Sequence, residues 1–154
     1  YLAMSIWLRE KDLAGFPQYM LEKSNEERGH AARMIAYLVD CDEPVELPTI
    51  EAPERSWPSV QQLFDRVFEM EKQVTASINR LYSLAEEAGE RSASAMLDWF
   101  VNEQIQEEAE ARFVLKRLRL AGDNSAALLL LDQQFLEGNA LTHVKASMTT
   151  YGGQ

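Results

Sequence analysis

The 154-residue chain is poor in the residues that cross-link or interrupt a fold. It has a single cysteine, Cys41, with five prolines and seven glycines. One cysteine excludes a disulfide within the chain and fits a reducing compartment, so we predict a cytoplasmic protein. We expect Cys41 itself to be a small core residue. The scarcity of turn residues favours long helices over many short strands.

The chain also lacks an excess of positive charge and a long apolar run. Its 15 basic residues face 25 acidic ones, which gives a formal net charge of −10. A nucleic-acid partner is therefore not expected, because such proteins carry a basic face, whereas cationic partners or simple solubility fit an acidic chain. No apolar run reaches the roughly 18 residues that cross a bilayer, so we predict no membrane contact.

The apolar content, 46% of the chain, is enough for one core, and we predict a single domain over residues 1–154. The apolar periodicity predicts helices over residues 1–11, 16–41, 59–88, 91–121 and 125–136. The first helical pattern already includes Tyr1. We therefore expect the first helix to be truncated at its N-terminus.

Residues 42–58 differ from the rest, because they hold four of the five prolines and are predicted to be extended. A helix of about 26 residues is roughly 40 Å long, and about 17 extended residues reach roughly 55 Å. The segment can thus return along the whole bundle and make the second and third helices parallel. The sequence predicts an all-α four-helix bundle with one long crossover between these helices, plus a short fifth helix.

Polar side chains interrupt the apolar stripes of the second, third and fourth helices near their middles. The interrupting residues are Glu27, His30, Glu71, Gln104 and Glu107. The predicted helix directions place all of them at one level of the bundle. Lys23 also breaks its stripe, but it lies nearer a helix end, where we expect its amine to reach solvent.

Buried carboxylates need compensation, since each uncompensated ion costs several kcal/mol. Raised pKa values would relieve one or two of them, whereas two divalent cations would relieve all. Glu27 and His30 share one helix face, and oxygen ligands with one imidazole favour iron or manganese over structural zinc. Taken singly, His30 could be a core histidine and Glu71 a surface residue. Their agreement in depth and phase favours a di-metal site.

These motifs resemble those of the non-haem, bacterial-type ferritins over nearly the whole chain. Residues 25–31 are similar to the family's Glu-Glu-x-x-His helix motif, residues 70–72 to its third-helix glutamate, and residues 102–107 to its fourth-helix Glu-Gln motif. The resemblance implies a ferritin-like fold and an iron-storage subunit with ferroxidase activity. Such a subunit oxidises ferrous to ferric iron with dioxygen or peroxide and deposits it as a mineral.

The resemblance also implies two iron ions per subunit. Glu27 would bridge them, His30 would complete the first iron site, and Glu71 and Glu107 would bind the second. The family's first-helix glutamate ligand would lie about two turns before Tyr1. Two catalytic roles are implied as well: Gln104 would hydrogen-bond an oxygen species or water, and Tyr1 is a candidate electron donor.

Bacterial relatives often hold a third iron, for which Glu26, Glu103 and Glu107 are the matching residues. Gln106 stands where a further glutamate is common, so we expect this third site to be weak or absent. Two neighbours have ambiguous roles. Asp98 would guide iron or be an ordinary solvated aspartate, and Trp99 would flank the site or simply pack in the core.

The resemblance implies a hollow homo-oligomer of 24 subunits. The residues 128–131, all leucine, would then pack between subunits or in an ordinary core. No haem is expected, because the second-helix motif lacks the methionine that binds haem in bacterioferritins. Two alternatives stay open: a storage shell subunit without catalysis, and a di-metal oxidase that acts on another substrate.

Overall fold

The computed structural model describes residues 1–141, so the last 13 residues of the predicted domain lie outside the described part. Within residues 1–141 the chain forms five α-helices and no strand. They are α1 (Leu2–Arg9), α2 (Gly15–Asp40), α3 (Val60–Ala88), α4 (Arg91–Ala121) and α5 (Ser125–Leu136). The predicted all-α bundle with a short fifth helix is confirmed, and each predicted helix end lies within two residues of the observed one.

Short turns join α1 to α2 and α3 to α4, and the helices of each pair pack against each other. The first turn relies on Asp12, whose φ of 59° is left-handed. Gly89 ends α3 with a φ of 73°, a conformation that glycine adopts without a steric penalty. The side chain of Ser59 caps the start of α3 by accepting a hydrogen bond from the Gln62 amide. Local chemistry therefore sets both hairpins.

The connection between α2 and α3 is the predicted long crossover, and it contains neither helix nor strand. Most of it is exposed, including Leu47 and Ile50, whose exposed fractions are 81% and 91%. Trp57, near its end, is instead buried, and its ring meets that of Trp7 edge to face with centroids 5.6 Å apart. This aromatic pair holds the end of the crossover against α1.

Helix α5 packs on the start of α2 through a close backbone approach. The Asp132 carboxylate accepts hydrogen bonds from the backbone amides of Ala14 and Phe16, at 2.9 and 2.8 Å. It therefore satisfies amide groups that the N-terminus of α2 would otherwise leave unpaired. A Cβ on Gly15 would lie 1.9 Å from the Asp132 carbonyl oxygen, so only glycine fits there.

Two apolar clusters form the core. The larger lies at the α5 end and includes Leu8, Phe16, Phe64 and Val114. The smaller, toward the other end of α3 and α4, consists of Ile78, Ala85, Leu97 and Phe100. Buried polar residues of α2, α3 and α4 lie between the two clusters along the helices. The fold thus places a polar layer at mid-height in the bundle.

The expectation that Cys41 is a core residue is wrong. Cys41 is exposed, because it follows the last turn of α2 as its C-cap instead of facing the core. On α3, Ile78 is 3% exposed and Thr75 donates a hydrogen bond to Glu108 of α4, whereas Val74 and Leu81 are 40% and 46% exposed. The leucines of residues 128–131 differ in burial: Leu131 is buried, whereas residues 129 and 130 are exposed.

No helix within residues 1–141 is both long and apolar enough to cross a membrane.

Candidate metal centre

The polar layer contains the residues predicted from the interrupted stripes. Glu71 on α3 and Glu107 on α4 are 2% and 4% exposed, and Gln104 is also buried. Glu27 and His30 on α2 are part-buried. Each lies near the middle of its helix, as the stripe pattern predicts. Three helices therefore contribute donor atoms to one layer.

Glu27 and His30 form the α2 part of the layer. The Nδ1 atom of His30 lies 3.3 Å from an Oε atom of Glu27, one helical turn away. The imidazole also meets the rings of Trp99 and Phe100, with centroids 5.3 and 6.1 Å away. Burial and the charge of Glu71 raise the pKa of Glu27, although His30 acts in the opposite direction. Trp99 thus packs directly beside the candidate ligands.

Glu71 has the most hydrogen bonds among the predicted ligands. The Tyr1 hydroxyl donates to one carboxylate oxygen. The Gln104 amide donates to the other at 3.3 Å, and it also reaches the Glu71 carbonyl and the Thr75 hydroxyl at 3.2 Å. Burial and Glu71 raise the pKa of Tyr1, which keeps the phenol neutral. Tyr1 and Gln104 therefore fix the orientation of the Glu71 carboxylate.

Glu107 is held by a lysine. The Lys23 ammonium donates to both Glu107 carboxylate oxygens at 2.8 Å. It also lies 2.9 Å from Glu26 and 3.2 Å from Glu110. The expectation that Lys23 reaches solvent is wrong: its side chain is only 8% exposed, because three carboxylates compensate the buried charge.

The electrostatics of this pair reflect its burial. Desolvation raises the pKa of Glu107 to about 7, while Lys23 opposes the rise and Glu71 and Glu110 add to it. Desolvation acts to lower the pKa of Lys23, but Tyr19 and the two carboxylates Glu107 and Glu110 outweigh it and raise that pKa. The neighbouring carboxylates therefore favour the charged form of the lysine.

The residues predicted for a third iron are only partly brought together. Glu26 is exposed and meets Glu107 through the shared Lys23 ammonium. Glu103 is part-buried and makes no hydrogen bond or ion pair with the other predicted ligands in residues 1–141. Asp98 is exposed and accepts a hydrogen bond from the Tyr82 hydroxyl at 3.0 Å, so it lies outside the buried layer.

The arrangement is not a preformed metal cage. In the described part of the chain, no three His, Cys, Asp or Glu side chains are close enough together to hold an ion. The cause is local, because Glu71 is turned toward Tyr1 and Gln104 while Glu107 is turned toward Lys23. The donor chemistry of the layer still suits iron, since it combines carboxylates with one imidazole.

The sequence did not predict two members of this layer. Lys23 was expected to reach solvent, and Glu110 was not identified. Lys23 did signal itself, because it breaks an apolar stripe one turn before Glu27. Glu110 gave no such signal, since the stripe of α4 passes through the adjacent Ala111. Both residues are 7% exposed.

The sequence and the fold are similar to those of known proteins. Residues 1–121 match the ferritin family, described as a ferritin-like domain. The chain belongs to the ferritin family. This ferritin chain is 34% identical over 145 residues to the bacterial non-heme ferritin of Campylobacter jejuni. The alignment covers 94% of the chain and 86% of that relative. The bacterial non-heme ferritin of Bacteroides fragilis is 30% identical, covering 87% of the chain and 83% of that protein.

Solved structures agree with the sequence relatives. A ferritin from the archaeon Archaeoglobus fulgidus, described as an open pore ferritin, superposes with a TM-score of 0.87 at 33% identity. The match covers 88% of this ferritin chain and 83% of that one. The family and fold predicted from the motifs are thus confirmed.

Proposed function

We propose that the chain is a subunit of an iron-storage ferritin and that its polar layer is a ferroxidase site. The observation that supports this best is the burial of Glu71 and Glu107 at the level of the Glu27–His30 pair. A layer of buried carboxylates inside a helical bundle is unfavourable unless cations compensate it, and Lys23 compensates Glu107 but makes no hydrogen bond or ion pair with Glu71. Membership in a family whose relatives are called non-heme ferritins identifies iron as the cation.

In this proposal, ferrous iron is the substrate. Glu27 and His30 bind the first ion, Glu71 and Glu107 bind the second, and Glu27 lies between the two. Each ferrous ion gives up one electron. Two such electrons and two protons reduce dioxygen to hydrogen peroxide, or reduce hydrogen peroxide to two water molecules. The ferric product then leaves for the mineral.

The other residues of the layer position these ligands. Gln104 and Tyr1 hold the Glu71 carboxylate, so these hydrogen bonds set the orientation from which Glu71 turns toward an ion. Glu107 and the Lys23 ammonium must separate before Glu107 can bind an ion. We include no haem in the proposal. The weaker third site with Glu26 and Glu103 stays a prediction.

Stopped-flow absorbance tests the activity. Anaerobic protein loaded with two ferrous ions per chain is mixed with oxygenated buffer, and ferric absorbance is followed. We expect a rapid phase that Glu27→Ala abolishes. The matched control is Glu69→Ala, which removes an exposed glutamate of α3. Equal rapid phases in both variants, or none in the unmodified protein, would contradict the ferroxidase proposal.

A shell subunit without catalysis is the second candidate. It is favoured by the Lys23–Glu107 ion pair, which neutralises a buried carboxylate without metal. In that case ferrous iron would oxidise slowly, and Glu27→Ala would not change the rate, while mineral would still accumulate.

We further propose that the chain assembles as a homo-oligomer of 24 copies. Exposed leucines on α5 support this, because surface apolar side chains in a row mark interfaces. The cytoplasmic location stays a prediction.

A further inference from the structure

Lys23 is placed where it interferes with the proposed site. Its ammonium lies within 3.2 Å of three carboxylates, those of Glu26, Glu107 and Glu110. Both oxygens of Glu107 are occupied by it, at 2.8 Å each. An ammonium in that position uses the lone pairs that a metal ion would need. Among these three carboxylates, only Glu107 is also a proposed ligand of the second ion.

The lysine has room to leave. A pocket of about 280 Å³ opens beside it and is lined by Glu22, Lys23, Glu26 and Glu110, among others. A long flexible side chain can swing into this pocket while its ammonium stays among carboxylates. When the Lys23 ammonium leaves Glu107, its charge therefore does not enter an apolar environment.

We propose that Lys23 competes with the second metal ion for Glu107. This inference rests on the proposed function. The first ion binds at Glu27 and His30, where no lysine of residues 1–141 makes a hydrogen bond or ion pair. The second ion binds only when the ammonium leaves Glu107 for the pocket. The two ions therefore load in a fixed order and with different affinities.

The competition has a simple consequence for a neutral substitute. In Lys23→Met the side chain keeps its length but loses its charge, so Glu107 is free to bind metal. We expect the association constant of the second ion to rise at least about tenfold, since a buried charge partner no longer opposes it. The first ion, which does not involve Glu107, should change little.

Calorimetric titration with cobalt(II) alone, without an oxidant, measures both steps. Lys23→Arg keeps the positive charge and should keep the weak second step. Lys72→Met is the matched control, because Lys72 pairs with the exposed Glu69 and makes no ion pair with a proposed ligand in residues 1–141. Equal second-step affinities in the unmodified protein and Lys23→Met would overturn the proposal, as would an increase in Lys23→Arg equal to that in Lys23→Met.

A measurement on the unmodified protein covers the case in which Lys23→Met fails to fold. The ammonium resonances of Lys23 can be followed by nuclear magnetic resonance during zinc titration. We expect them to shift with the second equivalent of zinc and not with the first. A shift complete at the first equivalent, or none at all, would contradict the competition. Neither readout depends on iron oxidation, so a failed ferroxidase assay would leave this test intact.

Discussion

Gln104 joins α4 to α3 through its amide nitrogen, whose two hydrogens are shared among three acceptors within 3.3 Å. Its acceptors are the Glu71 carbonyl, the Glu71 carboxylate and the Thr75 hydroxyl. Thr75 in turn donates to Glu108 at 2.7 Å. A buried acceptor left without its donor costs about 1–3 kcal/mol. A single side chain therefore contributes both to stability and to the orientation of a proposed ligand.

We expect Gln104→Leu to lower the free energy of unfolding by about 1–3 kcal/mol, because the Glu71 carboxylate loses a buried donor. It should also weaken cobalt(II) binding at the second site, to which Glu71 belongs. Urea unfolding and calorimetry measure the two effects. Gln106→Leu, at an exposed position of the same helix, is the control and should change neither quantity. Identical unfolding curves for the two variants would contradict the role given to Gln104.

At the residue scale, the stripe pattern predicted much of the site. Glu71, Gln104 and Glu107 are buried where helical spacing places them. The partner of Glu107 was not predictable, because a lysine is normally assigned to solvent unless the carboxylates around it are known. Those carboxylates come from two helices, and Glu110 lies off the stripe. Side-chain pairing across helices depends on rotation that spacing does not specify.

At the scale of elements, α5 and the start of α2 form one anchored unit. Gly15 allows the backbones to approach, and Asp132 accepts two amide hydrogen bonds from the same turn. Gly15 is the first residue of α2 and directly follows the turn from α1. The left-handed residue is Asp12 instead, and the need for glycine comes from the neighbouring helix.

We expect Gly15→Ala to destabilise the protein by several kcal/mol, because the new Cβ meets the backbone of α5 and that backbone cannot move aside cheaply. Gly29→Ala is the control on the same helix. Its Cβ would meet nothing within 4 Å, so it should stabilise α2 by about 0.5–1 kcal/mol. Thermal unfolding followed by circular dichroism compares them. Equal stability of the two variants would show that α5 does not pack on Gly15.

The helices and the crossover were predictable because turn residues and prolines mark them locally. The docking of the crossover was not. Trp57 is buried only because Trp7 presents its ring at the right distance, and that contact joins residues 50 positions apart. Long-range contacts of this kind carry no local signal. The sequence thus predicts the length of the crossover but not where it attaches.

At the scale of the whole molecule, leucines of α5 form an exposed apolar surface on the single chain. Leu129 and Leu130 are 57% and 63% exposed, beside the buried Leu131. Leu120, near the end of α4, is 88% exposed. Apolar side chains in this density are typical of contacts between copies of a chain.

We expect the double variant Leu129→Glu, Leu130→Glu to block assembly while leaving each subunit folded, because it places two negative charges in the proposed interface. Light scattering should then show a particle far smaller than a shell of 17.5 kDa chains. Ser125→Glu adds a charge to the same helix without removing an apolar side chain, and it should assemble normally. An intact shell from the double variant would rule out α5 as an interface.

The ion pair between Lys23 and Glu107 also has a consequence for how the chain folds. Lys23 belongs to the α1–α2 hairpin and Glu107 to the α3–α4 hairpin, so the two charges meet only when the hairpins dock. Each hairpin joins residues near in sequence and should form early. A docking shifted by one helical turn would bury Glu107 without the Lys23 ammonium, at a cost of several kcal/mol. The pair therefore selects the correct register at the last step of folding.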